Sequence, residues 1–181
     1  MPAILIIDDN ASVGTALDVL FSLHDIDTLQ AQSPADGLAM LESHAVDLVI
    51  QDMNFTEDTT SGEEGEALFA QIRARHPDLP VILLTAWTHL SSAVDLVKAG
   101  AADYLAKPWD DRKLLTTVNN LLELSEARRE LGQRRARGER QRNALEEKYG
   151  LCGAVFADPA SERVIALACQ VARSELPVLV T

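Results

Sequence analysis

Polar side chains able to take part in chemistry follow four short apolar runs of this 181-residue sequence. They are Asp8 and Asp9 after the first run, Asp52 and Asn54 after the third, Thr85 at the end of the fourth, and Lys107 after the fifth. If the runs are parallel strands, their carboxyl ends meet at one edge of a sheet, where ligands bind. Taken singly, each residue is more often a solvated strand end or a helix N-cap. Their joint placement is what indicates a site.

The residue types indicate phosphoryl chemistry. Carboxylates held within a few ångströms of each other repel and need a cation. A hard divalent ion with oxygen ligands suits Asp8, Asp9 and Asp52, so Mg²⁺ is the candidate cofactor. Lys107 adds a compact positive charge suited to phosphoryl oxygens. Asp52 is the candidate nucleophile for forming an acyl phosphate, because it stands alone at the middle strand. Thr85 can then turn its hydroxyl towards a phosphoryl oxygen.

The elements that must position these residues follow from hydrophobic spacing. Five short apolar runs are typical of buried strands: Ala3–Ile7, Thr28–Ala31, Val46–Gln51, Val81–Leu84 and Ala102–Leu105. Between and after them, apolar residues recur at three- and four-residue steps, which predicts five helices. The fifth helix begins near Asp110 and continues through 125–148. The alternation predicts an α/β fold, a doubly wound five-stranded parallel sheet followed by a long linker helix.

Composition excludes several classes of protein. Acidic residues number 28 and basic residues 16, giving a net charge of −12, and 47% of the residues are hydrophobic. The apolar content argues against a disordered chain. No apolar run reaches the ~18 residues of a membrane span, and the acidic balance argues against nucleic-acid binding by the whole chain. With no signal peptide and no disulfide framework indicated, we expect a cytoplasmic location.

Charge divides the chain into parts. Residues 1–113 carry 19 acidic and 6 basic side chains, whereas residues 128–148 carry 8 basic and 4 acidic ones. We predict a globular domain at 1–122, a helical linker at 123–149 and the opening of a further domain at 150–181. The linker offers only a weak coiled-coil seam, because three arginines and a glycine fall at its core positions. A solvated linker helix without a partner is an equal alternative.

Residues 1–122 resemble the receiver domain of two-component response regulators. The matching stretches are Ile6–Asn10, Asp52 with Asn54, Leu84–Ala86 and Asp103–Pro108. The resemblance implies a flavodoxin-like sheet of strand order 2-1-3-4-5. It also implies a signalling function, in which a sensor histidine kinase phosphorylates Asp52. The chain would then be a phosphoacceptor regulatory protein and not an enzyme acting on other substrates.

The resemblance implies which residues hold the metal ion and the phosphoryl group. Asp9, Asp52 and the backbone carbonyl of Asn54 would bind Mg²⁺ directly, and Asp8 would act through water. Lys107 would contact the phosphoryl group.

The resemblance further implies a coupled switch. Thr85 would move towards the phosphoryl group and Tyr104 would follow, although from the residues alone Tyr104 is equally a half-buried strand aromatic. The surface of the fourth helix, fifth strand and fifth helix would be remodelled, and a homodimer would form through it and the linker. The Lys107–Pro108 peptide would be cis.

The connection after Asp52 departs from the family pattern. The family has a short loop with Met-Pro and one glycine, whereas Met53–Gly65 is longer, acidic and without proline. Gly65 is the candidate for the family's glycine, because a helix is predicted soon after it at Ala67–Arg73. The loop lies over the predicted site, so phosphoryl-transfer rates or partner choice can differ.

The tail gives a second, weaker resemblance. Tyr149–Gly153, an amphipathic helix predicted at Pro159–Arg173 and an apolar run at Leu176–Val180 are similar to the start of the AAA+ domain of NtrC-like, sigma-54-dependent activators. The ATP-binding loop of that domain and a DNA-binding helix-turn-helix are not among the 181 residues. The resemblance implies a regulatory fragment of a longer transcriptional activator, which itself binds no DNA.

Two other functions stay open. An aspartyl-phosphate hydrolase of the haloacid-dehalogenase type uses the same residue types. It places Asp-x-Asp after its first strand, however, where this chain has Asp8-Asp9-Asn10. A pseudo-receiver that binds a partner without phosphorylation is suggested only by the unusual loop. The full set of acidic, hydroxyl and lysine residues argues against it.

Overall fold

A computed structural model describes residues 2–55, 62–86, 90–150 and 158–172. Its elements in chain order are β1 (Ala3–Ile7), α1 (Ala11–Ser22), β2 (Asp27–Ala31), α2 (Pro34–Ser43), β3 (Leu48–Asp52), α3 (Glu63–Arg75), β4 (Val81–Thr85), α4 (Leu90–Lys98), β5 (Asp103–Ala106), α5 (Asp111–Tyr149) and α6 (Pro159–Val171). The five strands form one parallel sheet in the order β2-β1-β3-β4-β5. The predicted α/β fold, strand order and long helix after the domain are confirmed.

Helices cover both faces of the sheet. On one face, Leu17 and Phe21 of α1 and Leu114 and Val118 of α5 pack on apolar residues of the strands. On the other face, α2, α3 and α4 contribute a second buried cluster. All residues of β3 and β4 are buried, as expected for central strands of a parallel sheet. This two-sided core fixes the positions of the strand ends.

Short polar caps begin the helices that follow the first two strands. The Asn10 side chain accepts a 3.0 Å hydrogen bond from the backbone N–H of Ser12, so Asn10 is the N-cap of α1. The Ser33 hydroxyl accepts a 3.1 Å bond from the Asp36 N–H, and Pro34 occupies the first helical turn of α2. Only two or three residues therefore separate each of these helices from the strand before it, at the carboxyl edge of the sheet.

The structure moves two predicted strands along the chain. The predicted strand Ala102–Leu105 is observed as Asp103–Ala106, and the change at the third strand is larger. The predicted strand Val46–Gln51 is observed as Leu48–Asp52, so Asp52 is the last residue of β3. The chain before it is held differently, because the Asp47 carboxylate accepts a 3.0 Å hydrogen bond from the Ala3 N–H. The Asp47 N–H also donates a 2.9 Å hydrogen bond to the Ala3 carbonyl, so Asp47 pairs with Ala3 through both its backbone and its side chain.

The apolar residues of α4 are divided between core and surface. The predicted fourth helix, marked by the spacing of Ala93, Val94 and Val97, is observed as α4. Leu96 is buried, whereas Val94 and Val97 are 44% and 49% exposed. The side chain of Ala93 lies outside the described residues. Hydrophobic spacing alone does not distinguish a core stripe from an apolar surface stripe on a short helix.

The chain divides into two compact units, Met1–Ala127 and Arg128–Thr181. In the second unit, Val164 and Leu167 of α6 are each 62% exposed, although their spacing predicted a core face. The predicted boundary at Leu151–Gly153, the end of the predicted helix at Arg173 and the predicted strand Leu176–Val180 lie outside the described residues. The division at residues 122 and 149 therefore stays a prediction. In the described part of the chain, no helix has the length and apolar content needed to cross a bilayer.

Candidate functional site

Acidic residues from two adjacent strands meet at the carboxyl edge of the sheet. Ile7 at the end of β1 is in register with Gln51 of β3, so Asp8 and Asp52 come next along neighbouring strands. Both carboxylates are nearly inaccessible, with Asp8 4% and Asp52 6% exposed. Burial of charge at this depth requires paired charges and hydrogen bonds.

Lys107 supplies the opposite charge from across the sheet. Its Nζ lies 2.6 Å from Asp8 Oδ2 and 2.9 Å from Asp52 Oδ2. The backbone holds the lysine in place, because the Lys107 N–H donates a 2.6 Å hydrogen bond to the Thr85 carbonyl. The Lys107–Pro108 peptide is cis, as the family resemblance implied. The ammonium therefore bridges two carboxylates from different strands.

Backbone N–H groups orient the remaining carboxylate oxygens. Asp8 Oδ1 accepts a 2.9 Å hydrogen bond from the Asn10 N–H, and Asp52 Oδ1 accepts a 2.8 Å bond from the Met53 N–H. Each carboxylate is thus held by one backbone donor and one ammonium donor. Charge-assisted bonds of this kind are the stronger class of protein hydrogen bonds.

Burial and pairing change the acidity of both partners. Burial raises the pKa of the Asp52 carboxyl above its ordinary value, and the hydrogen bond and charge of Lys107 offset part of that rise. Burial acts to lower the pKa of Lys107, but the hydrogen bonds and charges of Asp8 and Asp52 outweigh it, so that pKa is raised. At neutral pH the lysine is a cation, and Asp52 is a stronger base than a surface aspartate.

A third carboxylate completes a cluster that could hold a metal ion. One carboxylate oxygen each from Asp8, Asp9 and Asp52 lies within 4.8 Å of the other two, with Asp9 exposed on the open side. Asn54 follows Asp52 by two residues and is half-buried. Its Oδ1 is buried without a hydrogen-bond partner among the described residues. An all-oxygen donor set fits a hard cation such as Mg²⁺ better than zinc.

The two predicted switch residues occupy neighbouring strands. Thr85 ends β4, is 3% exposed and is in register with Ala106, while Tyr104 of β5 is in register with Leu83. Side chains alternate along strands, so Thr85 and Tyr104 lie on the same face of the sheet. Tyr104 is half-buried and packs on the core cluster beneath α3 and α4. This position of Tyr104 agrees with both interpretations of the residue, as a half-buried strand aromatic and as a switch residue.

Sequence reasoning missed one residue beside the site. Gln51, directly before Asp52, is fully buried, and its Nε2 donates a 2.7 Å hydrogen bond to the Gly65 carbonyl. A Cβ at Gly65 would lie 2.5 Å from Met53 Cα, so only glycine fits there without movement. The signal for Gln51 was present, since it is an amide directly after the apolar residues Leu48–Ile50. Residues 56–61 of the long loop lie outside the described residues.

Comparison with known proteins agrees with this geometry. Residues 4–119 match the family described as "Response regulator receiver domain". The chain is 34% identical over 178 residues to the response regulator protein FleR of Pseudomonas aeruginosa, covering 98% of this chain and 32% of FleR. It is 30% identical over 177 residues to the transcriptional regulatory protein ZraR of Salmonella typhimurium, covering 98% of this chain and 36% of ZraR. The chain thus spans about a third of the length of these relatives.

Solved structures have the same fold. A response regulator receiver domain protein from Clostridium thermocellum has a TM-score of 0.62 and 27% identity, covering 70% of this chain and 98% of that chain. The N-terminal signal receiver domain of a Bacteroides fragilis response regulator has a TM-score of 0.60 and 35% identity, covering 67% of this chain and 97% of that chain. The family match covers more than half of the chain and coincides with the sheet whose edge carries the acidic cluster. The chain therefore belongs to the response regulator receiver domain family.

Proposed function

We propose that this chain is a phosphorylation-operated switch in which Asp52 accepts a phosphoryl group from a sensor histidine kinase. The observation that carries the proposal is the convergence of three carboxylates and one ammonium at a single strand edge. A purely structural ion pair has no need of the exposed third carboxylate, Asp9. Receiver family membership supports the same function.

The transfer follows from the groups present. An Asp52 carboxylate oxygen attacks phosphorus, the nitrogen–phosphorus bond of the donor's phosphohistidine breaks, and the imidazole leaves with its electron pair and takes a proton from solvent. The product is an acyl phosphate on Asp52. The raised pKa of Asp52 marks a more basic carboxylate, and Lys107 neutralises charge on the phosphoryl oxygens.

The acidic cluster would hold Mg²⁺ through Asp8, Asp9 and Asp52, together with the Asn54 carbonyl. When bound there, the ion supplies positive charge that lets an anionic donor approach an anionic site. The protein's own task is to keep these oxygens together against their repulsion. The backbone N–H donors of Asn10 and Met53 and the Lys107 ammonium do so.

The switch couples the phosphoryl group to a surface. The Thr85 hydroxyl moves towards a phosphoryl oxygen, and Tyr104, on the same sheet face, turns into the vacated space. This is a local charge change that biases a two-state element. Exposed Val94 and Val97 on α4 support the further proposal that this surface forms a homodimer, with exposed Leu124 and Leu131 of α5 adding to the contact.

We further propose that the chain is the regulatory part of a longer NtrC-like activator, located in the cytoplasm, whose ATPase assembly it controls. Similarity to FleR and ZraR extends over 98% of the chain, well past the receiver domain. The region that matches therefore includes the basic part of α5 and the residues after it. No DNA binding is proposed for these 181 residues.

One experiment tests the phosphoacceptor. The protein is incubated with acetyl phosphate and Mg²⁺, and intact mass spectrometry counts the phosphoryl groups. Wild type should gain one, and Asp52→Asn should gain none. The control is Asp78→Asn, an exposed aspartate before β4 at the opposite edge of the sheet, which should behave as wild type. Phosphorylation of Asp52→Asn at the wild-type level would refute the assignment, and repeated turnover of phosphate esters would favour the hydrolase.

A further inference from the structure

Gln51 is a buried amide in an apolar layer. It is fully inaccessible and follows Val49 and Ile50 on β3. Because side chains alternate along a strand, Gln51 faces the same side as Val49, which belongs to the core cluster beneath α3. Its Nε2 donates to the Gly65 carbonyl at 2.7 Å, and its Oε1 is buried without a partner among the described residues. An aliphatic side chain of similar size would fill this position without burying an unmatched acceptor, so the donated bond is what distinguishes glutamine here.

The bond reaches the first turn of α3. Gly65 is the third residue of that helix, and the helix begins after Gly62, whose φ of 71° is in the left-handed region. The N-cap residue, Gly62, has no side chain with which to cap this helix start. The Gln51 amide supplies a direct link between strand and helix.

The same turn lies against the backbone that orients Asp52. A Cβ on Gly65 would lie 2.5 Å from both the Cα and the carbonyl oxygen of Met53. The Met53 N–H in turn donates to Asp52 Oδ1 at 2.8 Å. The Met53 N–H also donates to the Leu84 carbonyl at 3.0 Å, which holds it to β4. The first turn of α3 adds a second restraint on the Met53 backbone from the other side, and with it on the orientation of the Asp52 carboxylate.

We infer that Gln51 is a positioning residue that holds the first turn of α3, through Gly65, against the Met53 backbone and so fixes the Asp52 carboxylate. The inference rests on the proposed function of Asp52. The Gln51 side chain donates its hydrogen bond to the Gly65 carbonyl and not to a carboxylate of the acidic cluster, so its role is exerted through Gly65 and Met53. Removal of a group that orients a metal-ligating side chain typically lowers metal affinity or activity by about 10–100-fold.

The test compares two substitutions on opposite faces of β3. Gln51→Leu removes both amide atoms while keeping an apolar side chain of similar size. Ile50→Val weakens the other face of the same strand, where Ile50 packs in the cluster with α1 and α5. For each variant, urea unfolding gives stability, calorimetry gives Mg²⁺ affinity, and acetyl phosphate with saturating Mg²⁺ gives the phosphorylation rate. Gln51→Leu should lower Mg²⁺ affinity or phosphorylation rate about tenfold, whereas Ile50→Val should leave both near wild type even where it is the less stable protein.

A spectroscopic measurement on wild type keeps the inference testable if Gln51→Leu does not fold. The Gln51 side-chain amide protons should exchange slowly with solvent in ¹⁵N spectra, and Gly65→Ala should remove that protection because its Cβ displaces the first turn of α3. Rapid exchange in wild type overturns the inference, as does a Gln51→Leu protein with wild-type Mg²⁺ affinity and phosphorylation rate. Wild type that binds Mg²⁺ but accepts no phosphoryl group refutes the proposed function instead, and the Mg²⁺ affinities then still decide the role of Gln51.

Discussion

Lys107 Nζ lies 2.6 Å from Asp8 Oδ2, although the two residues are 99 positions apart in the chain. The contact joins the end of β1 to the segment after β5. Because β3 and β4 lie between β1 and β5 in the sheet, the Lys107 side chain extends across the ends of these two strands. The ammonium also reaches Asp52 at 2.9 Å. One cation thus stabilises two buried carboxylates that would otherwise repel each other.

Lys107→Met should destabilise the protein when divalent cations are removed. Loss of a hydrogen-bonded cation between buried carboxylates leaves charges unpaired, and we expect a decrease of about 1.5–3 kcal/mol in the free energy of unfolding. Added Mg²⁺ should restore part of the stability by binding the folded state. Urea unfolding with EDTA and with Mg²⁺ measures both effects. Lys113→Met, an exposed lysine of α5, is the matched control. Equal stability of the two variants in EDTA would contradict the structural role of Lys107.

Asp52→Asn should change how stability depends on pH in metal-free buffer. The folded-state pKa of Asp52 is raised above 3.8 by burial, so the folded protein keeps a proton that the unfolded chain has already lost. The wild-type free energy of unfolding therefore loses a contribution as pH rises from below 3.8 through the folded-state pKa. Asparagine has no such loss, so the stability of Asp52→Asn relative to wild type should rise over this range and then level off. A relative stability that falls with pH would show that pairing with Lys107 outweighs burial.

The Thr85→Ala variant should still accept a phosphoryl group, but the conformational change that follows should be lost. The readout is Trp109, which is half-buried on the core cluster of α1 and α5 and donates a 3.1 Å hydrogen bond from Nε1 to Asp111. Trp87 lies outside the described residues, so the experiment uses a Trp87→Phe background. Mg²⁺ with beryllium fluoride should change Trp109 fluorescence in that background, and Thr85→Ala should abolish most of the change. Thr116→Ala, an exposed hydroxyl on α5, should not. An unchanged response in Thr85→Ala would exclude a coupled switch through this hydroxyl.

Val97→Glu should prevent dimerisation induced by the phosphate mimic. Val97 is 49% exposed on α4, and a carboxylate there would have to be desolvated in an apolar interface. Size-exclusion chromatography with light scattering should show a dimer for wild type with Mg²⁺ and beryllium fluoride and a monomer for Val97→Glu. Val19→Glu, at a 56% exposed position on α1, serves as the control. Loss of dimer in the control alone would place the interface elsewhere.

Gly138→Ala should strengthen α5. A Cβ at Gly138 would meet no atom within 4 Å, and alanine in a helix interior is favoured over glycine by about 0.8–1 kcal/mol. The far-ultraviolet circular dichroism signal should decrease at a higher temperature than in wild type. Gly65→Ala should give the opposite result, since its Cβ meets the Met53 backbone. A destabilised Gly138→Ala would indicate that another chain packs closely at this position.

Much of the fold could be predicted because both faces of the sheet are buried. Continuous apolar runs such as those of β1 and β4 have few alternative structures, and the ends of β1 were predicted to the residue. The error at β3 came from Val46, whose apolar side chain precedes the strand while Asp47 bonds to Ala3. Spacing reports hydrophobicity and not hydrogen bonding, so it could not find that boundary.

The sequence could predict which strand-end residues form the candidate site, but not the contacts between their side chains. Parallel strands bring Asp8, Asp52 and Lys107 to one edge whatever their exact positions. The sequence could not indicate that one ammonium touches both carboxylates, because this depends on the backbone bond between Lys107 and Thr85. Gln51 was missed because an amide within an apolar run has no assigned chemistry until its partner, Gly65, is seen. The roles of these residues in phosphoryl transfer stay predictions.

The Lys107 ammonium also has a physiological consequence. Because it already balances charge between the two innermost carboxylates, folding of the domain should not depend on a divalent cation. Under the proposed function, the Mg²⁺ concentration would then set the rate of phosphorylation and not the amount of folded protein.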